Sequence, residues 1–158
     1  MSRSGAELAL LLLGGYRSLV DGAIAELSAR GHHGVRPVHD FAMRAIAAGA
    51  DNASELGRRL SVSKQAAAKT IAVLFERGYV ERGPDPDDGR RKRITVTALG
   101  WEVMREGEAI FDELRQAWQH RLGAREFAEF EARLAALVGD ATVRPESAGW
   151  VAHELDEG

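Results

Sequence analysis

Cysteine is absent from all 158 residues, so no disulfide and no thiol-ligated metal centre can form. The chain as a whole also has no surplus of positive charge: 21 Lys+Arg stand against 24 Asp+Glu, a formal net charge of −3. A Gly-rich phosphate loop, a nucleophile motif and a recognisable metal-ligand set are all missing, and the expectation is that the protein is not an enzyme. His32, His33 and His39 lie near one another, but no carboxylate or further histidine sits at ligand spacing, so no metal and no cofactor is expected. A long membrane-crossing run is missing too. Leu8 to Leu13 is apolar, and Gly14-Gly15-Tyr16-Arg17 is expected to stop it short of a span. With no signal-peptide cleavage pattern after it, the expectation is a cytoplasmic protein with no membrane partner.

What is present is ordinary globular material. At 45% hydrophobic and 28% charged residues, the chain can build a proper core and has the size of one domain. Its charge is unevenly spread. Between Arg58 and Arg93 there are 10 Lys+Arg against 5 Asp+Glu, leaving 11 against 19 for the remainder. Phosphate binding responds to the local field, not to the whole-chain total. A charge run alone is equally well read as a solvated face. What shifts the balance is the pattern of elements that carries it.

That pattern is two short helices and an arginine-rich hairpin between Asp51 and Thr97. Asn52 with Glu55 three residues on is a capping-box-like start for a helix through Leu56 to Leu60. After the break Ser61-Val62-Ser63, Ser63 can cap a second helix, Lys64 to Arg77, which Gly78 ends. This helix puts Ala67, Ile71 and Leu74 on one stripe and Lys64, Gln65, Ala68 and Lys69 on the opposite side. Tyr79–Arg82 and Arg91–Thr97 read as strands around a Gly-Pro-Asp-Pro-Asp-Asp-Gly turn. The sum is a winged helix-turn-helix.

Flanking helices complete a mainly α fold with a small β-hairpin wing. Ser4 and Glu7 open a first helix to Arg30, with Leu8, Leu12, Tyr16, Leu19, Ala23 and Leu27 at helical spacing. Leu10, Leu11 and Leu13 make its early turns apolar nearly all round. Either this is a central core helix of one chain, or a partner chain covers its second side. Pro37 suits the first turn of the next helix, with Val38, Phe41, Ala45 and Ile46 inward. Thr97 can cap a long helix carrying Val103, Ile110, Leu114, Ala117 and Trp118 as far as Leu122, and a shorter helix spans Arg125–Val138. The expected layout is a single domain over 1–158. It comprises a winged helix-turn-helix lobe at 36–97, flanking helices at 4–30 and 98–138, and a tail at 139–158 where Trp150 and Val151 are candidates for docking.

The stretch SELGRRLSVSKQAAAKTIAVLFERGYVERGPDPDDGRRKRITVTALG resembles the DNA-binding core of the MarR family of bacterial transcriptional regulators. The specific features are Asp88-Gly89-Arg90, the basic strand after it, and Thr-x-x-Gly from Thr97 to Gly100. The likeness covers residues 36 to 122 well and the outer segments in layout only. It implies a homodimer in which first and last helices interlock across a two-fold axis, and usually a repressor. The missing cysteine excludes the thiol-based peroxide switch of some relatives. The resemblance further implies that Asp88 orients Arg90 through an ion pair, with Arg91 and Lys92 alongside. This sequence departs from commoner versions in placing Gly89 between them and in extending the basic run to Arg93. A pocket for a small aromatic or phenolic effector is implied between the dimer helices and the winged lobe. Tyr16, His39, Trp101 and Trp118 are its candidates here, and each is equally readable as a core or interface residue.

The residue chemistry suits double-stranded DNA. Lysine donates to guanine and glutamine pairs with adenine in the major groove, which makes Lys64, Gln65 and Lys69 candidate readers. Ala68 is short enough to allow close approach, and the Ser63 hydroxyl can cap, meet a phosphate, or do both. An arginine at a hairpin tip, here Arg90, can enter a narrow minor groove. A two-fold dimer would read a pseudo-palindromic operator with half-sites about one turn, roughly 34 Å, apart. The alternative function is a winged-helix adaptor whose basic wing meets an acidic protein partner without specific DNA binding.

Overall fold

The structure is a computed structural model that describes residues 2–139. Its elements in order are α1 (Gly5–Ala29), α2 (Pro37–Ala47), α3 (Ala53–Leu60), α4 (Lys64–Glu76), β1 (Val80–Pro84), β2 (Lys92–Val96), α5 (Ala98–Leu122) and α6 (Ala124–Val138). Two compact units result, one joining residues 1–34 with 106–137 and the other built on 35–105. The expected tail residues 140–158, with Trp150 and Val151, lie outside the described residues.

In the unit of 35–105, each helix is started and stopped by a residue suited to the task. Pro37, with its fixed φ and no N–H, begins α2, whose Val38, Ala42, Met43, Ala45 and Ile46 are all buried. The Asn52 side chain accepts from the Glu55 N–H at 2.9 Å and starts α3. Ser61 turns left-handed at φ 57° to end it. Ser63 accepts from the Ala66 N–H at 3.1 Å and starts α4. Leu56, Leu60, Ala67 and Leu74 from this helix pair join Met43, Ile46 and Ile94 in the centre, each at most 2% exposed. Gly78, at φ 74°, reverses the chain into the hairpin.

The hairpin is antiparallel, with Val80 opposite Val96, Arg82 opposite Ile94 and Pro84 opposite Lys92. Relative to the sequence pattern, β1 begins one residue later and ends two residues later, and β2 is one residue shorter at each end. Backbone bonds from the Thr97 N–H to Tyr79 O (2.9 Å) and from the Asp85 N–H to Arg91 O (2.8 Å) set the alternation of the ladder. Pro84 then falls where its nitrogen would face away from β2, so its missing donor costs no rung. Thr97 does double duty at the end of β2. Its hydroxyl donates to Gly78 O at 2.6 Å and accepts from the Gly100 N–H at 3.1 Å, capping α5. A side chain at Gly100 would collide with the Tyr79 carbonyl. The Thr-x-x-Gly signature is thus the joint between wing and α5. The lobe reaches beyond the expected limit at 97 because Val103 and Met104, in the first turns of α5, are 2% and 4% exposed.

The unit of 1–34 and 106–137 is all helical. Ser4 and Glu7 form the reciprocal capping box at the start of α1, and their hydrogen bond holds the Glu7 carboxyl below its ordinary range. Val20, Ala23 and Leu27 of α1, Ile110 of α5 and Phe127 of α6 are buried. Gly22 lies under Leu114, so that an added Cβ would sit 3.2 Å from its Cδ2. Three polar ties brace the surface: Arg30 Nη2 to Glu113 Oε2 at 3.1 Å, His32 Nε2 to Glu106 Oε2 at 3.0 Å, and Arg115 Nε to Glu131 Oε1 at 2.7 Å. The His32 contact is close enough for an ion pair but is not aligned as a hydrogen bond.

α1 runs unbroken through Gly14-Gly15-Tyr16-Arg17, as the helical spacing from Ser4 to Arg30 suggests, since internal glycines weaken a helix by only about 1 kcal/mol each; the expectation that this stretch keeps the apolar run short of a membrane span is corrected. The uninterrupted α1 is long and apolar enough to cross a membrane, with a mean hydropathy of 1.4 over its most apolar 18-residue window. A helix sandwiched between protein surfaces satisfies the same measure. The Val20–Ala23–Leu27 stripe is buried within the unit, whereas Leu8, Leu10, Leu11 and Leu12 are 47–67% exposed.

Candidate nucleic-acid interface

The α4 helix divides its residues by angle. At about 100° per residue, Lys64, Gln65, Ala68 and Lys69 occupy an arc of about 140°, while Ala67 and Leu74 point the other way. The structure exposes all four of the first group and buries both of the second. The N-terminal turn of α4 is therefore presented outward with its lysines, and no ion pair engages either lysine among the described residues. Ser63 Oγ is committed as acceptor to the Ala66 N–H, which leaves its hydroxyl proton available for an oxygen outside the chain. Such a surface can donate to base edges and to phosphates at once.

The wing tip is a chain of local carboxylate turns. Asp85 Oδ1 accepts from the Asp87 N–H at 2.9 Å, and Asp88 Oδ1 accepts from the Arg90 N–H at 3.1 Å. The Asp88 carbonyl accepts from the Arg91 N–H at 3.0 Å. The expected Asp88–Arg90 ion pair is therefore corrected: Asp88 holds Arg90 by its backbone. The short aspartate side chain closes onto an amide two residues on more readily than it reaches a guanidinium. Arg90 and Lys92 are exposed and have no carboxylate partner among the described residues. Arg91 Nη2 lies 3.4 Å from Asp51 Oδ2, with the side chain 66% exposed. Arg93, the extension of the basic run, differs. Its side chain is 19% exposed, its Nη1 is 3.8 Å from Asp85 Oδ1, and its Nε is buried without a partner.

The four candidate effector residues are distributed over both units. Tyr16 and Trp118 belong to the α1–α5–α6 unit, His39 and Trp101 to the winged lobe. Partial burial raises the Tyr16 phenol above its ordinary range. Trp118 lines a hollow of about 340 Å³ with Arg121, Leu122, Phe127 and Phe130. Trp101 lines another of about 700 Å³ with Phe41, Arg44, Arg59 and Met104. His39 borders neither of these two. It is 6% exposed and its Nδ1 accepts from the Arg36 N–H at 3.0 Å, so it caps the start of α2. Among the described residues no group of three His, Asp or Glu is placed to hold a metal.

Sequence reasoning missed Asp51, which has the most connected side chain at the base of the wing. Oδ1 accepts from the Ile94 N–H at 2.8 Å while Oδ2 faces Arg91. Its partners are 40 and 43 residues away along the chain, and no local spacing rule reaches that far.

A helix pair with an outward, lysine-bearing second helix, followed by a basic hairpin, defines a winged helix-turn-helix protein. Residues 33–91 match the model of the MarR family. The MarR family protein Rv2887 of Mycobacterium tuberculosis is similar in structure at 25% identity, covering 86% of this chain and 97% of that one with a TM-score of 0.65. The same protein in complex with salicylic acid is 27% identical, with coverage of 82% and 95% and a TM-score of 0.57. A MepR mutant from S. aureus bound to an oligodeoxyribonucleotide is similar at 17% identity, with coverage of 89% and 100% and a TM-score of 0.58. No curated protein sequence matches the chain. Over residues 33–91 the chain is similar to the MarR family, and it shares the winged helix-turn-helix fold of these neighbours.

Proposed function

We propose that the protein is a cytoplasmic, sequence-specific repressor that binds a pseudo-palindromic operator as a homodimer and is released by a small aromatic or phenolic ligand. The observation that carries the reading is the display of Lys64, Gln65, Ala68 and Lys69 on the outer arc of α4, together with the unpaired Arg90 and Lys92 of the wing. Lys64, Gln65 and Lys69 read base edges in the major groove, Ala68 permits close approach, and Ser63 meets a phosphate. Arg90 enters the flanking minor groove, with Arg91 and Lys92 on the adjoining phosphates and Asp88 fixing the tip. The apolar, exposed half of α1 supports the homodimer, since Leu8, Leu10, Leu11 and Leu12 lack a cover in the single chain. A two-fold pair would present its reading helices roughly 34 Å apart.

Ligand response follows from linkage. A ligand favouring a dimer geometry that misplaces the reading helices weakens DNA binding, and DNA weakens that ligand by the same factor. The hollows at Trp118 and Trp101 combine aromatic rings with arginines, a chemistry that suits an aromatic acid. The neighbouring Rv2887 structure holds salicylic acid. The test is a fluorescence-anisotropy titration on DNA flanking the coding region, repeated across salt concentrations and with added aromatic acids. Selective, salt-sensitive binding to one fragment is expected, with release on adding the acid. Equal binding to unrelated fragments would remove the sequence-specific reading and leave the protein-adaptor alternative. Isothermal titration without heat for any aromatic acid would remove the effector.

A further inference from the structure

We infer that Asp51, at the start of α3, is a positioning residue for DNA recognition: it splices the outer edge of the wing strand to the helix pair. The inference rests on the wing reading DNA as proposed above and adds how the wing is aimed.

The argument begins with the ladder. Hydrogen bonds at Tyr79–Thr97 and Asp85–Arg91 place the intervening Arg82–Ile94 pair in the wide, unbonded phase of the hairpin. The Ile94 N–H therefore points away from β1, off the free edge of β2. The residue is 2% exposed, so water cannot serve that donor well, and a buried amide left unpaired is costly. Asp51 Oδ1 accepts it at 2.8 Å. A carboxylate oxygen thus takes the place that a third strand would occupy.

Asp51 is itself anchored. Its N–H donates to Glu55 Oε2 at 3.4 Å, and the other Glu55 oxygen receives Arg59 Nη2 at 3.0 Å. Arg59 Nη1 in turn donates to Ala48 O at 3.1 Å, at the C-terminal end of α2. A polar relay therefore runs from α2 through α3 to the middle of β2. Among the described residues the hairpin is the one two-stranded element, and short two-stranded ribbons hold their angle poorly alone. Asp51 supplies a mid-strand tie four residues from Arg90, and its second oxygen draws Arg91 back toward the lobe so that Arg90 leads at the tip.

The test is a set of double-mutant cycles on operator affinity, read by anisotropy at fixed salt. Asp51→Ala should weaken binding about tenfold, and Arg90→Ala, tenfold or more in the wild type, should cost less than about threefold in the Asp51→Ala background. Lys64→Ala should cost the same factor in both backgrounds, because α4 is not aimed through β2. Asp51→Asn keeps an acceptor for Ile94 and should retain the full Arg90 effect. Independent losses for Asp51→Ala and Arg90→Ala, or equal coupling to Lys64 and Arg90, would overturn the inference. Hydrogen exchange of the Ile94 amide decides the point even if Asp51→Ala fails to fold. Protection is expected in the wild type and in Asp51→Asn, and rapid exchange in the wild type would overturn the tie. Arg90→Ala without effect in the wild type would instead remove the wing reading, leaving the exchange result to judge Asp51 on its own.

Discussion

The winged lobe and the α1–α5–α6 unit solve the burial problem differently. Met43, Ile46, Leu56, Leu60, Leu74, Ile94 and Val103, the large side chains sealed in the lobe, are drawn from α2, α3, α4, β2 and the first turns of α5, whereas Ile110 is the counterpart in the helical unit. That unit leaves Leu8, Leu10, Leu11, Leu12, Leu122, Phe130 and Leu137 at 41–86% exposure. A monomeric protein seldom leaves so many large apolar groups together in water. The lobe seals its large side chains with its own residues; the helical unit leaves an apolar surface that the proposed homodimer would cover. Charge is divided as well: residues 35–105 carry 13 Lys+Arg against 9 Asp+Glu, whereas residues 1–34 and 106–137 together carry 7 against 10.

The largest effect should come from making the open surface polar. Leu8→Asp combined with Leu12→Asp places two carboxylates on the exposed face of α1 without touching the buried Val20, Ala23 and Leu27. Light scattering after gel filtration should read a monomer, and operator affinity should fall about a hundredfold or more as the two half-sites lose their linkage. Far-ultraviolet dichroism should stay helical. A wild-type protein that is already monomeric at micromolar concentration would break the comparison at its root.

Truncation inside the closed lobe is the complementary case. Leu56 is fully buried in α3, and Leu56→Ala should cost about 2–5 kcal/mol from lost transfer energy and the cavity left behind. The loss is read by denaturant unfolding and should not vary with protein concentration beyond what the wild type shows. Leu10→Ala, at 67% exposure, should do the reverse: little change at high concentration, with a midpoint that falls on dilution. A comparable, concentration-independent cost for both would erase the distinction between the units.

A finer contrast lies within the wing. Arg90→Ala should weaken operator binding by about 1–3 kcal/mol, an amount typical of a guanidinium in a groove. Arg93→Ala should affect binding much less and thermal stability more, since its side chain is 19% exposed and faces Asp85. Equal losses of affinity for the two would remove the special place of Arg90.

The lobe was largely legible because its signals are local. Asn52, Ser63, Gly78 and Thr97 each act on amides or carbonyls within a few residues or at a turn, and the α4 stripe follows from helical period alone. What escaped were consequences of long-range packing. Asp51 reaches Ile94 across 43 residues, and the first turns of α5 join the lobe core, whereas the His39 cap on the Arg36 amide is a local contact. The Asp88–Arg90 relation was legible as a pair but not as a bond, because spacing fixes proximity while the backbone amide competes for the same oxygen. In the helical unit the pattern of α1 showed too much apolar surface for one side, and the structure exposes the excess.

The smallest effect concerns the tie between α5 and α6. Arg115 clasps both Glu131 oxygens and lies over the Phe127 ring, with its guanidinium 5.3 Å from the centroid. The hydrogen bond from Arg115 holds the Glu131 carboxyl below its ordinary range and the same pair raises Arg115. A carboxyl depressed by folding contributes stability that is present above its unfolded pKa and disappears as pH falls through the lowered folded value. Thermal midpoints should therefore drop on acidification below the ordinary carboxylate range, and Glu131→Gln should flatten part of that limb while changing the neutral midpoint little. The pair is solvent-exposed, so the difference should shrink further in high salt. An acid limb unchanged by Glu131→Gln would mean that Phe127, buried beneath the pair, holds α6 by apolar contact alone.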